Sequence, residues 1–282
     1  MRKPILLIMA ITIIYTAAQA QLHKGSCCSA SGATGTFASL ADANGFSKAH
    51  ASPVEIQYAA KGSMITFPTA DGKTGSAYFI PSPGKSNKYI FVFQEWWGLN
   101  DYIKRQSDLY ADSLKDVNVL AIDLYDGKST TQADEAGKLM QAADESRIRN
   151  IIAGAYSHVG KDAKVATVGW CFGGGWSMQA ALMGGKQLKA CVMYYGMPET
   201  DVTRLKTLHS DVIFIFAKKD QWINEGVKND FVKNMKAAGK TLVVKEYDAD
   251  HAFANPSNPH FNKEFAQDAQ AVTLRAFKAA FR

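Results

Sequence analysis

A glycine-rich turn between a strand and a helix constrains this chain more than any other feature. Residues 164–168 are β-prone and mostly apolar. The run Gly169-Trp170-Cys171-Phe172-Gly173-Gly174-Gly175 follows, and residues 176–183 continue as a helix-like stretch. The glycines let the backbone turn sharply, so the central side chain stands exposed above a sheet. This is the context of a nucleophile elbow, and the side chain at its tip is a thiol.

The flanking sequence fits a sheet able to carry such an elbow. Residues 54–58 and 63–67 alternate apolar and polar, and 76–80 follow the Asp71-Gly72 turn. These predict antiparallel strands at one edge. From residue 89 onward short apolar strands alternate with helical patterns. Strands are expected at 89–93, 117–122, 164–168, 188–195, 211–217 and 241–247. Helices are expected at 101–114, 132–141, 145–158, 223–238 and 262–280, with a short one within 38–51. The pattern implies one α/β domain, residues 52–282, with a mostly parallel central sheet flanked by helices on both faces.

The start of the chain reads differently. Arg2 and Lys3, the apolar residues 5–15 and the small-x-small site Ala18-Gln19-Ala20 predict a signal peptide over 1–20. A secreted or periplasmic protein is expected, with no membrane contact after cleavage. Residues 21–51 are expected as a flexible extension, loosest over the Ser- and Gly-rich 21–37. Removing Arg2 and Lys3 lowers the formal net charge from +6 to +4, with signs interspersed, so nucleic-acid binding is not expected. Of four cysteines, Cys191 reads as a buried strand residue, and the adjacent Cys27 and Cys28 suit no unstrained bridge to each other.

A thiol needs a base, and the base needs an orienting acid, to work in acyl transfer. At an elbow of this kind both follow later strands, the acid first. Asp220 follows the strand 211–217, and His251 follows 241–247. The other histidines lack this placement: His23 is in the N-terminal arm, His50 precedes the strand region, His158 ends a helix, His209 precedes a strand and His260 lies in a later polar run. Asp248 and Asp250 lie near His251 and are expected to shape its loop. Oxyanion donors are expected at the backbone N–H of Phe172 and of Trp96.

Several runs together carry a resemblance. Gln94-Glu95-Trp96-Trp97-Gly98-Leu99-Asn100, Asp123-Leu124-Tyr125, Gly169 to Gly174, Tyr194-Tyr195-Gly196, Asp220 and His251-Ala252-Phe253 resemble the dienelactone hydrolase family of α/β-hydrolases. The resemblance spans roughly residues 65–282. It implies the α/β-hydrolase fold and a triad of Cys171, His251 and Asp220. It also implies that Glu95 interacts with the cysteine and helps control its ionisation. Family members that take dienelactone hold the substrate carboxylate with two arginines. Here Asp126-Gly127-Lys128 and Asn255 stand at those places. Trp96, Trp97, Tyr125, Trp170, Trp222 and Phe253 are candidates for the substrate pocket.

The expected function is a cysteine-dependent hydrolase of small esters or lactones, working as a monomer through an acyl-enzyme. No cofactor or metal is expected, because the sequence has neither a dinucleotide fingerprint nor a clustered His/Cys pattern. Two alternatives are a non-catalytic binding protein of the same fold and a thiol redox protein using Cys171 or Cys27 and Cys28.

Overall fold

The computed structural model describes residues 32–42 and 45–282. The signal peptide expected over 1–20, Cys27 and Cys28 lie outside the described residues. The compact unit that holds the site spans Ser31–Arg282.

Eight strands form one sheet. They are β1 (Ser63–Pro68), β2 (Thr74–Ile80), β3 (Lys88–Phe93), β4 (Asn118–Ile122), β5 (Lys164–Trp170), β6 (Leu188–Tyr194), β7 (Val212–Ala217) and β8 (Leu242–Tyr247). Their spatial order is β1-β2-β4-β3-β5-β6-β7-β8. β2 runs antiparallel to both β1 and β4, and every other pairing is parallel. Every residue of β4 is buried, as are nearly all of β5 and β6. That is the signature of parallel strands covered on both faces. β1 and β8 are the edges, and their side chains are correspondingly more exposed.

The helices are α1 (Ala33–Ala38), α2 (Phe46–Ala49), α3 (Asp101–Leu114), α4 (Ala133–Gln141), α5 (Glu145–Val159), α6 (Phe172–Met183), α7 (Val202–Leu205), α8 (Glu225–Ala237) and α9 (Lys263–Ala280). Asn100, Asp144, Asn224 and Asn262 cap α3, α5, α8 and α9 by accepting a backbone N–H of the first turn. Such caps satisfy donors that would otherwise be orphaned.

Two departures from the sequence reading have physical causes. Residues 54–58 alternate like a strand but pair with no strand of the sheet. Side chains fasten that segment instead. Tyr58 Oη donates to Asp108 Oδ2 at 2.5 Å, and Tyr102 Oη donates to the Val54 carbonyl at 2.9 Å. Helix α6 begins four residues earlier than expected. Its glycines form the first turn, where bare backbone is needed. A Cβ at Gly173 would lie 2.3 Å from the Gln94 carbonyl oxygen and 2.4 Å from that of Phe93.

Residues 32–50, expected within the extension, contribute α1, a 3₁₀ turn (Ser39–Asp42) and α2. Phe37, Phe46 and His50 are all buried. The burial of two phenylalanines supplies the apolar area that fixes this segment.

Arg147 on α5 ties loops together near the sheet's N-terminal edge. Its guanidinium donates to both Asp126 carboxylate oxygens, at 3.0 and 2.6 Å, and to the Thr74 carbonyl at 2.7 Å. It also reaches Asp71 at 3.1 Å. Asp126 and its neighbour Gly127 both have positive φ. The loop after β4 is further held by Asp123, which accepts from the N–H groups of Tyr125 and Gly127.

Candidate active site

The loops after β3, β5, β7 and β8 leave the same end of the sheet, the carboxyl ends of parallel strands. They carry Glu95, Cys171, Asp220 and His251 respectively. This end is where open α/β sheets place their ligands.

Cys171 caps α6 with φ 56° and ψ −121°. A non-glycine residue pays of order 1–3 kcal/mol for such a conformation, and it persists because the surroundings enforce it. The enforcement is visible. The Cys171 N–H donates to the Tyr194 carbonyl at 3.0 Å, while its own carbonyl accepts from Gly174 at 3.0 Å. The elbow also depends on close backbone approach, since a Cβ at Gly169 would sit 2.0 Å from the Gly173 oxygen.

His251 Nδ1 donates to Asp220 Oδ2 at 2.5 Å. The other Asp220 oxygen accepts from the backbone N–H groups of Trp222 and Ile223, both at 2.9 Å. Asp220 therefore has its carboxylate fixed by three donors. Asp248 and Asp250 face other partners, Lys219 at 3.2 Å and His260 at 3.7 Å. The Cys171 sulfur and a ring nitrogen of His251 lie within 4.8 Å of each other.

Electrostatics separate the roles. Burial raises the Asp220 pKa, but the charge of His251 and the hydrogen bonds to it hold the carboxyl below its usual range. Burial would depress His251, yet the Asp220 carboxylate, and then the Cys171 sulfur, lift it well above the usual histidine range. For Cys171 burial wins, pushing the thiol up, with His251 pulling the other way. The Phe172 backbone N–H at the sulfur also favours thiolate.

Glu95 is buried beside this group. Asn255 Nδ2 donates to its Oε2 at 2.5 Å, and its Oε1 has no hydrogen-bond partner. Burial lifts its pKa from 4.5 to about 7, against the pull of His251 and Asn255. A pocket of about 340 Å³ opens beside Glu95, Trp170, Tyr194 and Asn255, with Arg105 and Lys263 further along its wall.

The aromatic candidates disperse. Trp170 lines that pocket. Tyr125 packs on Phe172 with ring centroids 5.6 Å apart and lines a separate cavity of about 440 Å³ with Arg147 and Lys128. Phe253 is wholly buried among Tyr195, Tyr247 and Phe265. Trp97 lies against Trp96. Trp96 and Trp222 meet Phe46 of α2 at centroid distances of 5.2 and 5.0 Å.

One residue at the centre was not anticipated. A ring nitrogen of His50 lies within 4.8 Å of both the Cys171 sulfur and a His251 nitrogen. Burial, and then His251, press the His50 pKa down from 6.5 to about 3, so it stays neutral at physiological pH. A usable signal was present in the sequence: Phe37, Leu40 and Phe46 are the large apolar residues of a stretch otherwise made of small or polar ones.

This sheet, with an elbow cysteine and a histidine–carboxylate pair on later loops, defines an α/β-hydrolase. The dienelactone hydrolase family profile matches residues 76–281, and the chain belongs to that family. It is thus a hydrolase acting on ester bonds. A relative called Protein usf, from Aquifex pyrophilus, is 30% identical over 213 residues, covering 71% of this chain and 91% of its own. A carboxymethylenebutenolidase from a Pseudomonas species is 30% identical over 132 residues, covering 46% of this chain and 54% of its own. Among solved structures, a dienelactone hydrolase-like promiscuous phosphotriesterase from metagenomic libraries superimposes with a TM-score of 0.68. It is 20% identical and covers 78% of this chain and 99% of that one.

Proposed function

We propose that this chain is a secreted, cysteine-dependent hydrolase of small esters or lactones. The observation that carries the reading is the fixed line from Asp220 through His251 to the strained Cys171. His251 removes the thiol proton, and the sulfur attacks the ester carbonyl to give a tetrahedral oxyanion. The backbone N–H groups of Phe172 and Trp96 receive that charge. His251 then protonates the leaving alkoxide, and water, deprotonated by the same imidazole, releases the acyl group. Secretion rests on the leader sequence alone.

An activated aryl ester with a slowly hydrolysed acyl group tests the covalent step. Intact-mass measurement is expected to show one added acyl group, and peptide mapping to place it on Cys171. No adduct under turning-over conditions, or an adduct elsewhere, counts against the scheme.

Glu95 gives a second test. Between its ordinary 4.5 and about 7 the folded chain holds a proton that the unfolded chain releases. Stability therefore falls as pH rises through that window and is flat above it. Glu95→Gln removes the slope, and at pH 8 it is expected to stabilise the fold by about 3 kcal/mol. Turnover is expected to drop about tenfold or more, and the limb of the pH–rate profile near pH 7 to vanish. An unchanged profile would remove Glu95 from the mechanism.

A further inference from the structure

Folding brings three soft or borderline donors to one point. They are His50 from α2, Cys171 from the elbow and His251 from the loop after β8. Their ligand atoms all lie within 4.8 Å of one another, and all three residues are buried. A zinc-class ion with bonds of about 2.0–2.3 Å holds tetrahedral donors about 3.5 Å apart. Shifts of roughly an ångström or less in the side chains would close the triangle.

The orientation of both imidazoles is already that of metal ligands. His50 Nδ1 donates to the Phe46 carbonyl at 2.7 Å, and His251 Nδ1 donates to Asp220. The nitrogen left over in each ring is Nε2, and both are buried: His50 Nε2 has no hydrogen-bond partner, and His251 Nε2 is left to interact with the Cys171 sulfur. A carbonyl or carboxylate on the far nitrogen is the support that metal-bound histidines commonly have. Thiolate and imidazole together favour zinc-like ions over magnesium or calcium. The sequence shows no clustered ligand pattern because the three residues are far apart along the chain.

We propose that His50, Cys171 and His251 form a binding site for a zinc-class divalent cation, which inhibits the enzyme by occupying its thiol. The Sγ–metal bond replaces the S–H bond, and an Nε2–metal bond displaces any proton held there, with the protons passing to solvent. No electron is transferred. One ligand comes from the N-terminal segment and two from the catalytic loops. The ion therefore clamps residues 46–50 over the site, where Phe46 already packs against Trp96, Trp222 and His251. The fourth position remains for water.

The test uses the chelator-treated protein carrying Cys27→Ser and Cys28→Ser, so that those thiols cannot compete. Titration with Co²⁺ is expected to give one ion per chain and a thiolate-to-cobalt charge-transfer band in the near ultraviolet, and Zn²⁺ is expected to displace it. Cys171→Ala should abolish the band. His50→Phe keeps a ring in the aromatic cluster and is expected to weaken zinc binding about tenfold or more. His50→Gln provides a second variant, with folding of each checked by circular dichroism without metal. No binding at millimolar ion, a band that persists in Cys171→Ala, or unweakened zinc affinity in both His50 variants overturns the proposal. The result is separable from the hydrolytic reading. Acylation at Cys171 without metal binding rejects only the metal site, whereas metal binding without acylation rejects only the hydrolase scheme.

Discussion

Cys171→Ala is expected to lower kcat on an aryl ester by about 10⁴-fold or more, leaving the remainder to oxyanion donors and substrate positioning. KM should move little, because the thiol makes its decisive contact only during bond formation. The backbone supplies an independent check. Alanine inherits the φ of 56° that Cys171 endures, whereas glycine does not suffer from it. Cys171→Gly should therefore be as inactive as Cys171→Ala but more stable by about 1–2 kcal/mol. Thermal unfolding of the pair, beside steady-state rates on one ester, reads both effects. An activity loss below about tenfold would falsify the nucleophile assignment.

Gly173→Ala is expected to be strongly destabilising. Its Cβ would press on two backbone carbonyls, those of Phe93 and Gln94, which cannot rotate away as a side chain could. The expected loss is about 3 kcal/mol or more, a fall in Tm of roughly 6–12 °C for a domain of this size. Gly175→Ala, two positions on, is the matched control. There the nearest atom to a new Cβ is 3.2 Å away, and helix propensity favours alanine, so the change should stay within about 1 kcal/mol. Equal melting temperatures for the two variants would mean that the helix does not sit on β3 as closely as described.

The parts legible in the sequence share a cause. Strands buried on both faces must be apolar throughout, and the helices between them are marked by caps such as Asn100 and Asn262. The elbow is local, so its glycines and cysteine could be read together. The meeting of Asp220 with His251 was legible because chain order and strand ends limit which side chains the loops bring together. Asp248 and Asp250 are near enough in sequence to compete for His251, and the structure turns them to Lys219 and His260 instead.

What escaped reading depends on packing between distant segments. No local periodicity connects Phe46 to Trp96 and Trp222, or His50 to Cys171. The loss of the strand expected at 54–58 is of the same kind. Alternation announces a surface fit for a ladder, but only the rest of the sheet decides whether a neighbour exists. Likewise Asn255 is visible in the sequence as a missing arginine. Only the structure shows that its amide is already engaged with Glu95.

Among the described residues the domain carries two free thiols, and each reports a different event. Cys191 lies on the central strand β6 with its side chain sealed, so a reagent reaches it only when the sheet itself comes apart. Cys171 is as thoroughly covered, at 1% exposure, but part of its cover is the short segment around Phe46 and His50. Detachment of a segment that small costs far less than global unfolding. The ratio of alkylation rates at the two cysteines thus measures how often the cover lifts while the sheet stays whole.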